Sequence, residues 1–123
     1  MLRSSLVLGV VRAEIFLIRW LITHESRSTP DQVRSAYHSM TILRDAPEVA
    51  GLLDLLNPGA LHPATAPADK DGDFRLVVDL VRADETKESY AAEFGRLVRL
   101  SDGASRPIDA AFRRRFSFAM PNE

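Results

Sequence analysis

The sequence predicts an α/β fold with a mostly helical N-terminal half and a small C-terminal unit of strand, helix, helix and strand. Three observations carry that expectation. Residues 1–56 hold apolar stretches broken at helical spacing, residues 57–73 are rich in proline and alanine, and residues 74–81 form a nearly continuous apolar run of strand length. The 123 residues, 46% hydrophobic and 27% charged, suit one compact domain with a modest core. Within it the 57–73 linker divides a helical half, 1–56, from an α/β half, 74–121.

Each element has its own signal. Ser4 or Ser5 caps a first helix running to about His24, with Leu6, Val7, Val10, Ile15, Phe16, Leu17, Ile18, Leu21 and Ile22 around most of its circumference. Such a helix is buried on several sides or packs against a second copy, with Val10, Phe16 and Trp20 as interface candidates. Its many β-branched residues leave a two-strand reading open. Thr29 followed by Pro30, Asp31 and Gln32 starts a second helix, because proline is tolerated at the first helical position and acids suit the positive end of the dipole. This helix is expected to reach about Arg44 and to bury Val33, Tyr37, Met40, Thr41 and Leu43. A third, short helix starts at Asp45 or Ala46 with Val49, Leu52, Leu53 and Leu56 inward, and ends at Asn57, Pro58 and Gly59.

The linker, with Pro58, Pro63 and Pro67, has few large apolar residues and reads as an exposed, mobile connection. Leu76, Val77, Val78, Leu80 and Val81 then make a buried strand with Asp79 at its end. Asp84 caps a helix through about Leu100 whose Tyr90, Phe94, Leu97 and Val98 share a face. Residues 101–106 turn, Pro107 begins a short helix to about Arg114, and residues 116–120 form a second strand.

Composition limits the function. A net charge of −1 provides no global field for nucleic acid or anionic lipid, so such a contact needs a local patch. With no cysteine the chain has no disulfides, thiolate zinc sites or thiol nucleophiles, and it suits the cytoplasm. Arg12, Glu14 and Arg19 interrupt the most apolar segment, residues 6–22, which argues against a membrane span.

Two features point to phosphate chemistry. Nucleotide-hydrolysing α/β proteins place a magnesium-associated carboxylate at a strand end, as Asp79 would be, and the Arg113, Arg114, Arg115 cluster offers planar donor forks to phosphate. The plainer alternatives are a solvent-facing acid and arginines that complement a helix C-terminus.

Together these pieces resemble a family. FRLVVDLVRAD, residues 74–84, is similar to the Walker B strand and turn of AAA+ ATPases, in the branch containing modification-dependent restriction motors. Arg82, Ala83 and Asp84 match its R-A-D, while Phe94, Gly95 and Leu97 resemble its F-G-E-L helix. Ser105, Arg106 and residues 108–118 look like its final arginine-bearing segment. The resemblance implies a nucleotide-associated role for Asp79 and for one of Arg113, Arg114 and Arg115 as an arginine finger toward a neighbouring subunit. Leu80 stands in place of the catalytic glutamate, and no G-x-x-x-x-G-K-[ST] occurs. The expectation is therefore a non-catalytic, AAA+-like module acting through protein–protein contacts in an oligomer. It has no cofactor of its own, and ATP or GTP with magnesium enters only if another chain completes the site.

Two alternatives stand beside it. One is a helical protein dimerising through residues 6–22. The other is a nucleic-acid-associated component that adds Arg99 and Arg106 to the three arginines. Weaker patterns lead nowhere further: Asp69, Asp71 and Asp73 lack the glycine and glutamate positions of a calcium loop. Arg34 and His38 resemble, one residue too close, the arginine–histidine pair of a class of helical ribonucleases, and a surface pair on an amphipathic helix explains them equally.

Overall fold

The computed structural model describes residues 9–18, 29–37, 39–65, 74–93 and 95–116. The described residues form a six-stranded, wholly antiparallel sheet with three short helices, which corrects the expectation of a mostly helical N-terminal half. The strands are β1 (Val10–Leu17), β2 (Ser39–Leu43), β3 (Leu76–Arg82), β4 (Lys87–Ala92), β5 (Arg96–Arg99) and β6 (Ser105–Pro107), in spatial order β2-β1-β3-β4-β5-β6. The helices are α1 (Pro30–Ala36), α2 (Ala46–Leu56) and α3 (Ala110–Arg115).

Residues expected in the first helix form β1. In it Arg12 and Glu14 alternate with buried Ala13, Ile15 and Leu17, the two-residue period of a strand. Val10–Leu17 is thus a single strand, in line with the β alternative to that extent, while Trp20 and the rest of that segment, apart from Gly9 and Ile18, lie outside the described residues. The second helix starts where expected. Thr29 accepts from the Gln32 N–H and Gln32 reaches back to the Thr29 N–H, a reciprocal capping box. It stops at Ala36, and the chain turns into β2, where alternating Ser39, Met40, Thr41, Ile42 and Leu43 pair with β1.

Helix α2 agrees with the sequence reading throughout. Val49, Leu52, Leu53 and Leu56 face inward, and Asn57 ends it in the left-handed conformation at φ 48°. Since β2 and β3 are both antiparallel to β1, they run parallel to each other, and α2 crosses over β1 to connect them. Residues 58–60 make a single 3-10 turn, and the first part of the expected linker is tied to the sheet by mutual backbone hydrogen bonds between His62 and Ser105 at 2.7 and 2.9 Å, while its residues 66–73 lie outside the described residues.

The helix expected over 84–100 is instead the β4–β5 part of an antiparallel meander. Its first turn has Glu85 at φ 69° and an Asp84 carboxylate accepting from the Thr86 N–H and hydroxyl at 3.1 and 2.6 Å. Beyond the following turn, where Gly103 takes φ 78°, residues 105–107 pair as β6. Asp109 caps α3 by accepting from the Phe112 N–H at 2.9 Å. The strand expected at 116–120 falls outside the described residues beyond Phe116.

The sheet has two covered faces. On the front, Ala13, Ile15, Leu17, Leu76, Val78, Leu80, Tyr90, Ala92 and Leu97 pack with α2 and with Ile108, Phe112 and Phe116. On the back, Val77, Ala91 and Val98 pack with Ile18, Phe74 and Val33 of α1, and Phe16 joins them. Residues 76–81 are buried on both sides, as the continuous apolar run implied, in a strand antiparallel to both of its neighbours.

Arg106 joins α2 to the far edge of the sheet. Its buried guanidinium donates to the Leu56 carbonyl at 3.0 Å, to the Leu55 carbonyl at 2.5 Å and to the Pro107 carbonyl at 2.9 Å. It thereby satisfies carbonyls that the end of a helix leaves orphaned and sets a positive charge at the negative end of the dipole. Replacing Arg106 by methionine keeps most of its bulk and leaves those carbonyls unsatisfied, with an expected loss of about 2 kcal/mol. Urea unfolding measures this, and an unchanged midpoint would show that the cap is dispensable.

Candidate functional site

Asp79 was expected at a strand end on the rim of the sheet, yet it is the middle residue of β3 and has no exposed surface. Alternation places it on the back face between Val77 and Val81, opposite Glu14 of β1 and Ser89 of β4. Helix α1 supplies its counter-charge. Arg34 donates from Nε to Oδ2 at 2.9 Å and from Nη2 to Oδ1 at 2.8 Å, a two-point grip that a planar guanidinium provides and an ammonium does not. The Ser89 hydroxyl donates to the same Oδ1 at 2.5 Å, and Arg34 reaches Ser89 Oγ at 3.2 Å and Asp31 at 2.8 Å.

Burial alone pushes the Asp79 carboxyl up. The Arg34 and Ser89 hydrogen bonds, with the attraction of Arg34 and Lys87, outweigh it and hold the group below the ordinary aspartate value. Glu14, the cross-strand neighbour of Asp79, pairs with Arg12 at 2.9 Å, so two neighbouring carboxylates sit beside two arginines. The arrangement clamps α1 to the sheet. Both Asp79 oxygens are engaged and neither meets solvent, which does not fit a hydrated magnesium ion. Among the described residues no three His, Asp or Glu side chains gather as a metal site.

The arginine cluster lies across the sheet. Helix α3 packs by Phe112 into the front-face core, 4.9 Å from the Phe116 ring, so Arg113, Arg114 and Arg115 are separated from Asp79 by the sheet itself. Arg115 lies 4.9 Å from the centre of the Phe116 ring and, with Leu43, Glu48, Gly51, Leu52 and Leu55, lines an open cleft of about 320 Å³. Within one chain Asp79 and the arginine cluster thus do not share a site, and the resemblance places an arginine finger at a neighbouring subunit's nucleotide in any case.

The five-arginine patch also fails to form. Arg106 is buried under α2, and Arg99 is held by Asp102 at 2.6 and 3.1 Å. Arg99 also meets Tyr90, whose phenol is buried on the front face and donates to Glu88 at 3.2 Å. Burial and the adjacent Glu88 charge push Tyr90 up to about 12 against the pull of Arg99.

Of the interface candidates, Val10 joins the front-face core and Phe16 lies on the back face with its ring 5.6 Å from Tyr37. They do not share a face: residues six apart in a regular strand would, but the register shift between Val10 and Arg12 carries Val10 to the front. Trp20 and His38 lie outside the described residues, as do Asp69, Asp71 and Asp73. Sequence reasoning missed the Arg34–Asp79 pair, though an acid inside an apolar run implies a buried partner for its charge. It also missed the exposure of Tyr37, Met40 and Thr41, assigned there to a buried helical face, and of Ile42 beside them.

Among the described residues no helix is long and apolar enough to cross a membrane.

Breaking the clamp gives a distinctive stability pattern. Arg34→Met leaves Asp79 buried without its cation and is expected to cost about 3 kcal/mol, the low end for buried pairs because Arg34 retains some contact with water; adding Asp79→Leu recovers most of it. Asp79 contributes stability that is complete above the unfolded aspartate value of about 4 and is lost as pH falls through its lower folded value. Chemical unfolding of wild type and Asp79→Asn between pH 2 and 7 should show the acid-side slope reduced in the variant. Equal slopes would remove Asp79 as its source.

Compared with protein-family models, with curated proteins and with solved structures, this chain has no match in any of the three.

Proposed function

We propose that this chain is a non-catalytic module that acts through contacts with other protein chains, and that the contact is made by strand addition at β2. One observation carries the reading: β2 is an edge strand with five uncharged residues, no proline and no glycine. Among the described residues nothing pairs with its outer side. Edges exposed in this way are templates for another strand, and natural sheets usually protect them with charge, proline or a bulge. Here Met40 and Ile42, 38% and 39% exposed, stand on the back face of the edge beside Tyr37, 43% exposed. The opposite edge is protected, since β6 ends in Pro107, which lacks an N–H, and its outward groups at Ser105 bond His62.

The engagement of both Asp79 oxygens by Arg34 and Ser89 supports a role without nucleotide chemistry. The reading keeps the chain in the cytoplasm, where the lack of cysteine carries no penalty.

Two measurements test it. A fluorescent ATP analogue with magnesium is expected to show no saturable binding, and binding abolished by Asp79→Asn would overturn the non-catalytic assignment. In the labelled protein, an excess of a synthetic peptide of residues 37–45 should shift and protect the Met40 and Ile42 amides while leaving Ser105 unchanged. In a sample that is monomeric, perturbation confined to other surfaces, or none, would overturn strand addition at β2.

A further inference from the structure

The outward hydrogen-bonding groups of β2 can be identified from the ladder. The Ile18 N–H donates to the Arg75 carbonyl at 2.7 Å, so even-numbered residues of β1 bond to β3. Its odd-numbered residues, Ala13, Ile15 and Leu17, therefore bond to Leu43, Thr41 and Ser39. That leaves Met40 and Ile42 with their N–H and C=O groups pointing away from the sheet. The two residues with free edge groups are also those whose apolar side chains are exposed on the back face.

From this, and resting on the strand-addition reading above, we propose that β2 pairs with β2 of a second copy of this chain, antiparallel, about a two-fold axis through Thr41. In that register Met40 of each copy faces Ile42 of the other, each pair exchanging two backbone hydrogen bonds and setting two apolar side chains against each other. Thr41 faces itself across the axis in a non-hydrogen-bonded pair. No like charges meet. Arg44 and its symmetry mate stand six residue positions apart along the strand, about 20 Å, and no charged residue lies within Ser39–Leu43.

The state of the two edges selects this partner. Head-to-tail addition of β2 to β6 would build an open filament, but Pro107 and the His62 bridge block the receiving edge. A strand edge that meets only its own kind closes as a two-fold dimer, with one continuous twelve-stranded sheet. Helices α1 and α2 lie over β1 and its inner neighbours, so among the described residues none covers the outer side of β2.

The absence of native cysteine gives a direct test. A Thr41→Cys variant places two thiols on the axis at a Cα separation of about 4.5 Å, within disulfide range. Mild oxidation at micromolar concentration should convert most of it to a covalent dimer. Ala60→Cys, on an exposed turn away from β2, should remain uncrosslinked. Light scattering of the wild type should read about twice 13.7 kDa, and Ile42→Lys should read the monomer mass with an unchanged circular dichroism spectrum. A wild type that remains monomeric at 100 µM, a dimer that survives Ile42→Lys, or equal crosslinking of both cysteine variants would each overturn the two-fold pairing. If the wild type is monomeric but the 37–45 peptide still protects Met40 and Ile42, self-pairing fails and strand addition stands; if the peptide also fails, both fall.

Discussion

A carboxylate in the middle of a strand covered on both faces must be neutralised where it stands, and the back of this molecule is arranged around that requirement. Asp79 has no exposed surface, and Arg34 brings the compensating charge from an element 45 residues earlier in the chain. The cost of an unpaired charge there exceeds that of any single apolar contact, so the pair fixes where α1 can sit. The Thr29–Gln32 capping box and the burial of Val33 then complete the short helix's attachment. A residue type that looks chemical in isolation thereby becomes a fastening.

The front face uses a different device for the same end. Apolar burial supplies most of the adhesion between α2 and the sheet, while Arg106 closes the helix end that packing alone would leave with unmet carbonyls. Both arginines are consumed by the fold, and Arg99 is bound within its own turn. Of the charges that suggested phosphate or nucleic acid, Asp79, Arg99 and Arg106 are engaged within the fold. The margin of the sheet is the surface with unspent hydrogen-bonding capacity among the described residues. Its two ends differ: β6 is closed by His62 and Pro107, and β2 is open and uncharged.

Legibility followed the range of each signal. The start of α1, the whole of α2 and the burial of residues 76–81 were readable because caps, proline positions and apolar spacing act within a few residues. In β1, apolar residues on both faces imitated an all-round hydrophobic helix, although Arg12 and Glu14 alternated with Ala13 and Ile15. In β4 and β5 the spacing of Tyr90, Leu97 and Val98 imitated a helical stripe, since a short hairpin returns inward-facing residues at intervals that overlap the helical period. Asp79 was recognised as a residue of consequence, but its role was misplaced by reading it at the strand end. Three more residues of β3 follow it and carry it away from the rim.

By itself the sequence determined where α1 begins, where α2 begins and ends, that residues 76–81 are buried, and that no thiol chemistry is available. Tertiary structure alone decided that β3 runs antiparallel to both neighbours, that Arg34 meets Asp79, that Arg113, Arg114 and Arg115 lie across the sheet from it, and that β2 is an edge. The reason is physical. Caps and turns are satisfied by groups a few bonds away, whereas strand direction, register and the partner of a buried charge are settled between segments tens of residues apart, where local preference is silent.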